Sequence, residues 1–197
     1  MALRTIRIWL WVAVVALAAA AGTGAVLLRQ QPPAGDGFGV AQFDLVDQNG
    51  NPVDETVFVG HPSVLFFGFT HCPEVCPTTM AEMSAWLDAL GDEGADLRAW
   101  FVTVDPERDT PEVLGDYVSW VSDRITGITG DPAQIDRLAD AWGVFHEKVP
   151  LEGDDYTMDH TASVFLLDAK GQFQGTIAYR EDMETALGKL RNLLAKS

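Results

Sequence analysis

The only two cysteines of the chain, Cys72 and Cys76, stand in HCPEVCPTT, residues 71–79. A thiolate is both a nucleophile and a soft metal ligand. Placement therefore decides what such a pair can do. The apolar run SVLFFGFT (63–70) precedes the pair and a helix-like pattern follows it. Cys72 is thus expected at the end of a buried strand, with Cys76 at or just before a helix N-terminus. Free backbone N–H groups and the helix dipole there favour thiolate over thiol. Pro77 suits a first helical turn and Pro73 restricts the chain between the sulfurs. Both sulfurs can then face one point, which suits copper(I), a soft ion content with few ligands. Two other chemistries stay open. One is a redox dithiol, for which a two-residue separation is the more usual pattern. The other is a structural disulfide, although so small a loop removes little chain entropy when closed. Two thiols exclude a four-thiolate zinc or iron–sulfur site within one chain.

A soft two-sulfur site becomes trigonal with one more donor, and imidazole is the natural one. The candidates are His61, His71, His146 and His160. His71 neighbours Cys72, so on an extended segment it should point away from the sulfurs. His61 precedes Pro62 at the far end of the same strand. His146, in FHEKVPL among charged neighbours, reads as a solvated side chain. His160, in YTMDHTASVFLL, directly precedes a strand, where a loop can bring it over the sheet edge. Met80 and Met83 are soft donors too, but they share helical spacing with Leu87 and Leu90 and read as core. Trp86 and Trp100 read as packing residues.

The elements that must position these groups follow from periodicity. VAQFDLVDQNGNPV (40–53) reads as a hairpin turning at Asn49–Gly50. SVLFFGFT (63–70) and LRAWFVTV (97–104) are continuous apolar runs, as strands buried on both faces require. The helix after the cysteines should end near Gly91 or Gly94. Asp105–Pro106 breaks the second strand, and Thr110–Pro111 starts a helix with Thr as cap and Pro in its first turn. ITGITG (125–130) is a short strand, and Asp131–Pro132 opens another helix. TASVFLLD (161–168) and QFQGTIAY (172–179) pair around Lys170–Gly171. A final helix carries Met183, Ala186, Leu187, Leu190, Leu193 and Leu194 on one face. Alternating strands and helices predict an α/β domain, a mixed sheet covered by helices on both faces.

Charge and hydropathy bound the setting. Ile8–Leu28 is 21 residues without a charge, long enough to cross a membrane as one helix. Arg4 and Arg7 before it place the N-terminus in the cytoplasm and the rest outside. A cleaved signal peptide is the alternative, since alanines 18–21 offer a cleavage site. Length, Trp9 and Trp11 near the cytoplasmic end, and Leu27–Leu28 beyond the alanines favour an anchor. QQPPAGDGFG (30–39) reads as a linker. The organisation expected is a stub and anchor (1–29), a linker (30–37) and one domain (38–197). All 29 acidic residues and ten of the 13 basic ones lie beyond residue 29, a net charge near −19. Such a surface excludes nucleic acid as a partner and disfavours lying on anionic lipid.

Three motifs in order, GFTHCPEVCPTT, VTVDPERDTPE and YTMDHTASVFLLD, resemble the Sco (SenC) copper chaperones of cytochrome c oxidase assembly. The resemblance covers most of residues 38–195 and includes the single N-terminal anchor. It implies a thioredoxin-like fold with a hairpin insertion. It also implies copper, as Cu(I) or Cu(II), bound by Cys72, Cys76 and His160. The implied partner is cytochrome c oxidase subunit II, whose dinuclear copper site is loaded or whose cysteines are kept reduced. A periplasmic copper donor or thiol reductant is a further implied partner. The implied location is a bacterial inner membrane, with the C-terminal domain in the periplasm. Asp159 matches a residue usual in the family and is a candidate to support the histidine. DPERDTPE (105–112) matches too, although a strand end followed by a capped helix accounts for it. Glu74 stands where Asp is usual, and Thr161 where Ser is common; neither is a candidate ligand.

Overall fold

Strand β3 (Ser63–Gly68) is buried at every position and organises the domain. Its adjacent residues Phe66 and Phe67 must point to opposite faces. Phe66 meets Phe101 at 6.0 Å between ring centroids, and Phe101 meets Tyr117 at 5.5 Å. On the other face Phe67 meets Phe165 at 6.0 Å, and Trp142 joins Phe165 to Phe58. One strand thus nucleates two aromatic clusters, one on each face, as a strand without a polar face must.

The computed structural model describes Gly39 and residues 41–153 and 155–196. The anchor expected at 8–28 and the linker at 30–37 lie outside the described residues. Among the described residues, no helix is long and apolar enough to cross a membrane. The expected hairpin is β1 (Asp44–Asp47) and β2 (Pro52–Asp54). After β3 come α1 (Val75–Leu90), β4 (Arg98–Thr103), α2 (Pro111–Val121), β5 (Ile125–Thr129) and α3 (Pro132–Ala141). The chain continues with β6 (His146–Pro150), β7 (Tyr156–His160), β8 (Val164–Leu167), β9 (Phe173–Ile177) and α4 (Met183–Leu194). Seven strands form one sheet in the order β2-β1-β5-β4-β3-β8-β9. The β5–β4 and β4–β3 pairs are parallel, and the others antiparallel. Tyr117 of α2 covers one face, and Trp142, just past α3, covers the other. The mixed sheet with helices on both faces is therefore present.

The caps fall where the sequence places them. Thr110 accepts from the Val113 N–H, and Asp131 from the Gln134 N–H, each followed by Pro at the helix start. Helix α1 stops at Gly91, whose φ of 50° is left-handed backbone that glycine adopts without strain. Met80, Met83, Trp86 and Trp100 are buried in the core, as expected. Met183 is the exception on α4: it is partly exposed while its neighbours on that face are covered.

One element is absent from the sequence reading. Residues 146–160 form a separate two-stranded antiparallel ribbon, β6–β7, outside the main sheet. His160 is the last residue of that ribbon, rather than part of a loop. His146 is directly opposite it in register, and its side chain is only 17 % exposed, 3.7 Å from Asp136 of α3. The solvated reading of His146 is corrected: the ribbon folds it back toward α3.

Candidate metal centre

The first sulfur is placed by the turn that leaves β3. The Cys72 N–H donates to the Phe69 carbonyl at 3.3 Å, closing the chain just beyond the strand. Helix α1 begins at Val75, so Cys76 lies inside its first turn. The N-cap, Glu74, makes no side-chain capping bond. The Cys72 sulfur takes that role, accepting the Cys76 N–H at 3.3 Å. An anion at a helix start is stabilised by the unpaired N–H groups and the dipole.

Gly68 is the residue that sequence reasoning missed on this side. A Cβ built there would lie 3.0 Å from the Cys76 sulfur, 2.9 Å from the Phe101 ring and 3.1 Å from the Phe66 ring. Only a residue without a side chain lets β3 pass so close to the thiol. The signal was present as a lone glycine in an apolar strand, which marks a close approach.

The third donor arrives from β7. His160 Nε2 is 3.4 Å from the Cys76 sulfur. Its Nδ1 is 2.9 Å from the Thr161 carbonyl, which can only accept, so Nδ1 donates there and Nε2 is the ring nitrogen that faces the sulfurs. The ring packs edge-on against Phe69 at 5.7 Å and against Phe66 at 6.0 Å between centroids. Two aromatic walls and one carbonyl thus fix its orientation. Asp159 does not support it: strand alternation turns Asp159 to the other face of the ribbon, where it is exposed opposite Glu147. Thr161 does more. Its N–H donates to the Phe145 carbonyl and its hydroxyl accepts the Phe145 N–H, both at 3.0 Å.

One ligand atom from each of Cys72, Cys76 and His160 lies within 4.8 Å of the other two. Among the described residues no other group of three His, Cys, Asp or Glu side chains is so arranged. His61 sits instead beside Asp96, and His71 is turned toward Thr70 and Asp109. Both cysteines are free thiols; Cys76 is fully buried and Cys72 partly so. The two share a proton unequally. The bond from Cys76 holds the Cys72 thiol well below its ordinary range, against burial, with help from His160 and the Cys76 N–H. The same bond, together with burial, pushes Cys76 up. The more acidic sulfur thus lies at the mouth and the less acidic one beneath it. Two sulfurs and one imidazole, with no hard oxygen donor among them, fit a soft or borderline ion and not magnesium or calcium.

Comparison with known proteins finds relatives whose structures hold copper. The SCO1/SenC family model matches residues 32–195. A protein from Rickettsia felis named SCO2-like protein is 37 % identical over 133 residues, 66 % of this chain and 65 % of the relative. The chain thus spans slightly less than two thirds of that relative's length. Bradyrhizobium japonicum ScoI with copper bound superposes with a TM-score of 0.72 at 40 % identity, covering 78 % of this chain and 98 % of that one. Yeast Sco1 with copper bound gives a TM-score of 0.75 at 31 % identity, covering 82 % of this chain and 90 % of that one. The fold is the thioredoxin-like one of those proteins. With a match that runs through nearly the whole described chain and takes in both the cysteine turn and the histidine ribbon, this protein belongs to the SCO1/SenC family.

Proposed function

We propose that this chain is a copper metallochaperone in which Cys72, Cys76 and His160 hold the ion, as Cu(I) or Cu(II). The observation that carries the reading is the convergence of two sulfurs and one imidazole nitrogen within 4.8 Å. Copper here is cargo. Cys72, the more acidic and more exposed of the two thiols, is the donor an acceptor can reach first, and any remaining thiol proton is released as the ion enters. A three-donor site with no fourth His, Cys, Asp or Glu donor among the described residues leaves an approach for an incoming ligand, so the ion can leave by exchange. The acceptor is the dinuclear copper site of cytochrome c oxidase subunit II. That assignment is supported by family membership and by relatives named SCO1 and SCO2. The uncharged Ile8–Leu28 run supports a single-pass anchor in a bacterial inner membrane, with residues 38–197 in the periplasm.

Cu(I) titration of the reduced full chain against a competing chelator, under argon, tests the reading. One copper per chain is expected, held much more weakly by His160→Ala. No tight copper, or equal binding by both proteins, overturns it.

A second reading is favoured by one observation, two free thiols of which the partly exposed Cys72 accepts a helix N–H at 3.3 Å while Cys76 is buried behind it. Cys72 thiolate can attack a protein disulfide and Cys76 thiol can resolve the mixed disulfide. Chain dithiol and substrate disulfide would then become chain disulfide and substrate dithiol. This would keep an acceptor's cysteines reduced. Disulfide reduction that survives His160→Ala and vanishes in Cys72→Ser distinguishes it from copper transfer.

A further inference from the structure

The ribbon that carries His160 is a weak element by its own chemistry. An isolated two-stranded hairpin is marginally stable in water. Here two acidic residues, Glu147 and Asp159, face each other directly across the strands, an arrangement that repels. Within the ribbon only Met158 is fully buried. Something outside it must fix its position. Lys148 pairs with Glu107 at 2.7 Å and His146 lies 3.7 Å from Asp136 of α3, but the most sheltered contacts centre on Arg108 and Tyr156. Arg108 donates from Nε to Asp105 and from Nη1 to the Tyr156 carbonyl at 2.9 Å. Its guanidinium lies 3.8 Å from the centre of the Tyr156 ring. The Tyr156 hydroxyl donates to the other oxygen of Asp105 at 2.8 Å. Asp105 is buried and Arg108 is only 19 % exposed, so these are charge-assisted bonds sheltered from water.

The same loop holds the cysteine side. The Asp105 N–H donates to the Thr103 hydroxyl at 2.9 Å, which donates to Asp109 at 2.6 Å. Asp109, fully buried, also accepts the Thr70 hydroxyl at 2.6 Å and the Thr70 N–H at 3.0 Å. Thr70 is two residues before Cys72. A continuous polar chain therefore runs from the histidine ribbon, through the loop after β4, to the cysteine turn.

We propose that Arg108 and Tyr156 are positioning residues that lock the β6–β7 ribbon closed over the cysteine turn and so preset the distance between His160 and the sulfurs. The proposal deepens the copper reading and rests on it for its purpose, but not for its test. A ribbon held closed before the ion arrives removes the closing cost from binding. Apparent affinity falls only by the fraction of chains that are closed. Metal affinity is therefore a blunt probe, and ribbon opening in the metal-free protein is the sharp one.

The experiment is amide hydrogen exchange on the reduced, metal-free full chain, residue by residue. The variants are Tyr156→Phe, which keeps the ring and removes only the hydroxyl bond, and Arg108→Gln. Arg108→Lys serves as the rescue. Exchange of ribbon amides in 146–150 and 156–160 is expected to rise at least about tenfold in Arg108→Gln, less in Tyr156→Phe, with partial recovery in Arg108→Lys. Amides of β3 and β4 should keep the parent's rates. The His160 ring nitrogen resonances should shift in the same order. Parent-like ribbon exchange in both variants overturns the proposal. So does an equal acceleration of β3 and β4, which would mean a global loss of stability. If the parent itself binds no copper, the proposed function fails while the exchange result still decides the lock.

Discussion

The cysteine turn and the histidine ribbon each supply part of one site, yet they are built in opposite ways. The turn grows directly out of β3, at the centre of the sheet, and runs into a helix whose inner face is core. Its Cys76 sulfur sits where the packing of Phe66, Gly68 and Phe101 leaves room for it. The ribbon stands outside the sheet and is held chiefly by charged and aromatic contacts from the loop after β4, with His146 beside Asp136 of α3. One side of the site is rigid because it is packed, and the other is placed because it is latched. The proposed carrier role would gain from this asymmetry. Opening of the ribbon would withdraw His160 from the sulfurs at the expense of few core contacts, chiefly Met158 and the ring's packing on Phe66 and Phe69.

The largest effects should come from the donors. His160→Ala is expected to lower copper affinity by more than about a hundredfold, since even groups that merely orient a ligand cost up to that much. The melting temperature should scarcely move, because the ribbon contributes little core. Competitive titration and thermal unfolding of the same samples check both halves of that statement. A large drop in stability would erase the distinction between the two regions.

Reactivity should separate the two sulfurs. Because the Cys72 pKa lies well below the ordinary thiol range, its thiolate is present above that depressed value and is lost only as pH falls through it. Its alkylation rate should therefore change less than about twofold between about pH 6 and pH 8. An ordinary thiol would quicken about 75-fold over that interval. Cys76, shifted upward and buried, should stay unmodified until the chain unfolds. Mass spectrometry after timed alkylation distinguishes these profiles, and a steep rise for Cys72 would break the assignment.

On the packed side, Gly68→Ala should cost about 1–3 kcal/mol by overfilling the space between Phe66, Phe101 and Cys76. Denaturant unfolding measures it, and a cost near zero would mean that the sulfur pocket is looser than its contacts imply. The smallest effect is expected from Arg180→Ala. Arg180 reaches Glu74, between the cysteines, at 3.5 Å, but both side chains are well exposed. Such pairs contribute about 0–1 kcal/mol, so stability and copper affinity should stay close to the parent's.

What could be read in advance follows the same division. Thr110–Pro111 and Asp131–Pro132 announced their helices because a cap acts within three residues. SVLFFG announced a central strand because a segment buried on both faces has no polar alternation. HEKVP and YTMDH announced nothing. They interleave charged and apolar residues in short runs, and their ribbon has one face in solvent and the other only partly covered. His146 was misread for that reason, and Asp159 was credited with a support that the Thr161 carbonyl gives instead. DPERDTPE was legible as a strand end and a helix cap. Its Asp105, Arg108 and Asp109 also join two segments 39 and 48 residues away on either side, which no local pattern could report.

The sequence by itself determined the donor types, the thiol spacing, the strands of the core and their helix caps. These depend on chemistry within a few residues of each position. The tertiary structure alone decided that His160 meets Cys76 rather than any of the other three histidines. It also decided that β3 passes the sulfur at Gly68, and that a loop after β4 ties ribbon to turn. Each of those is a contact between segments distant in the chain, and it exists only once burial of both sheet faces has fixed where every strand ends.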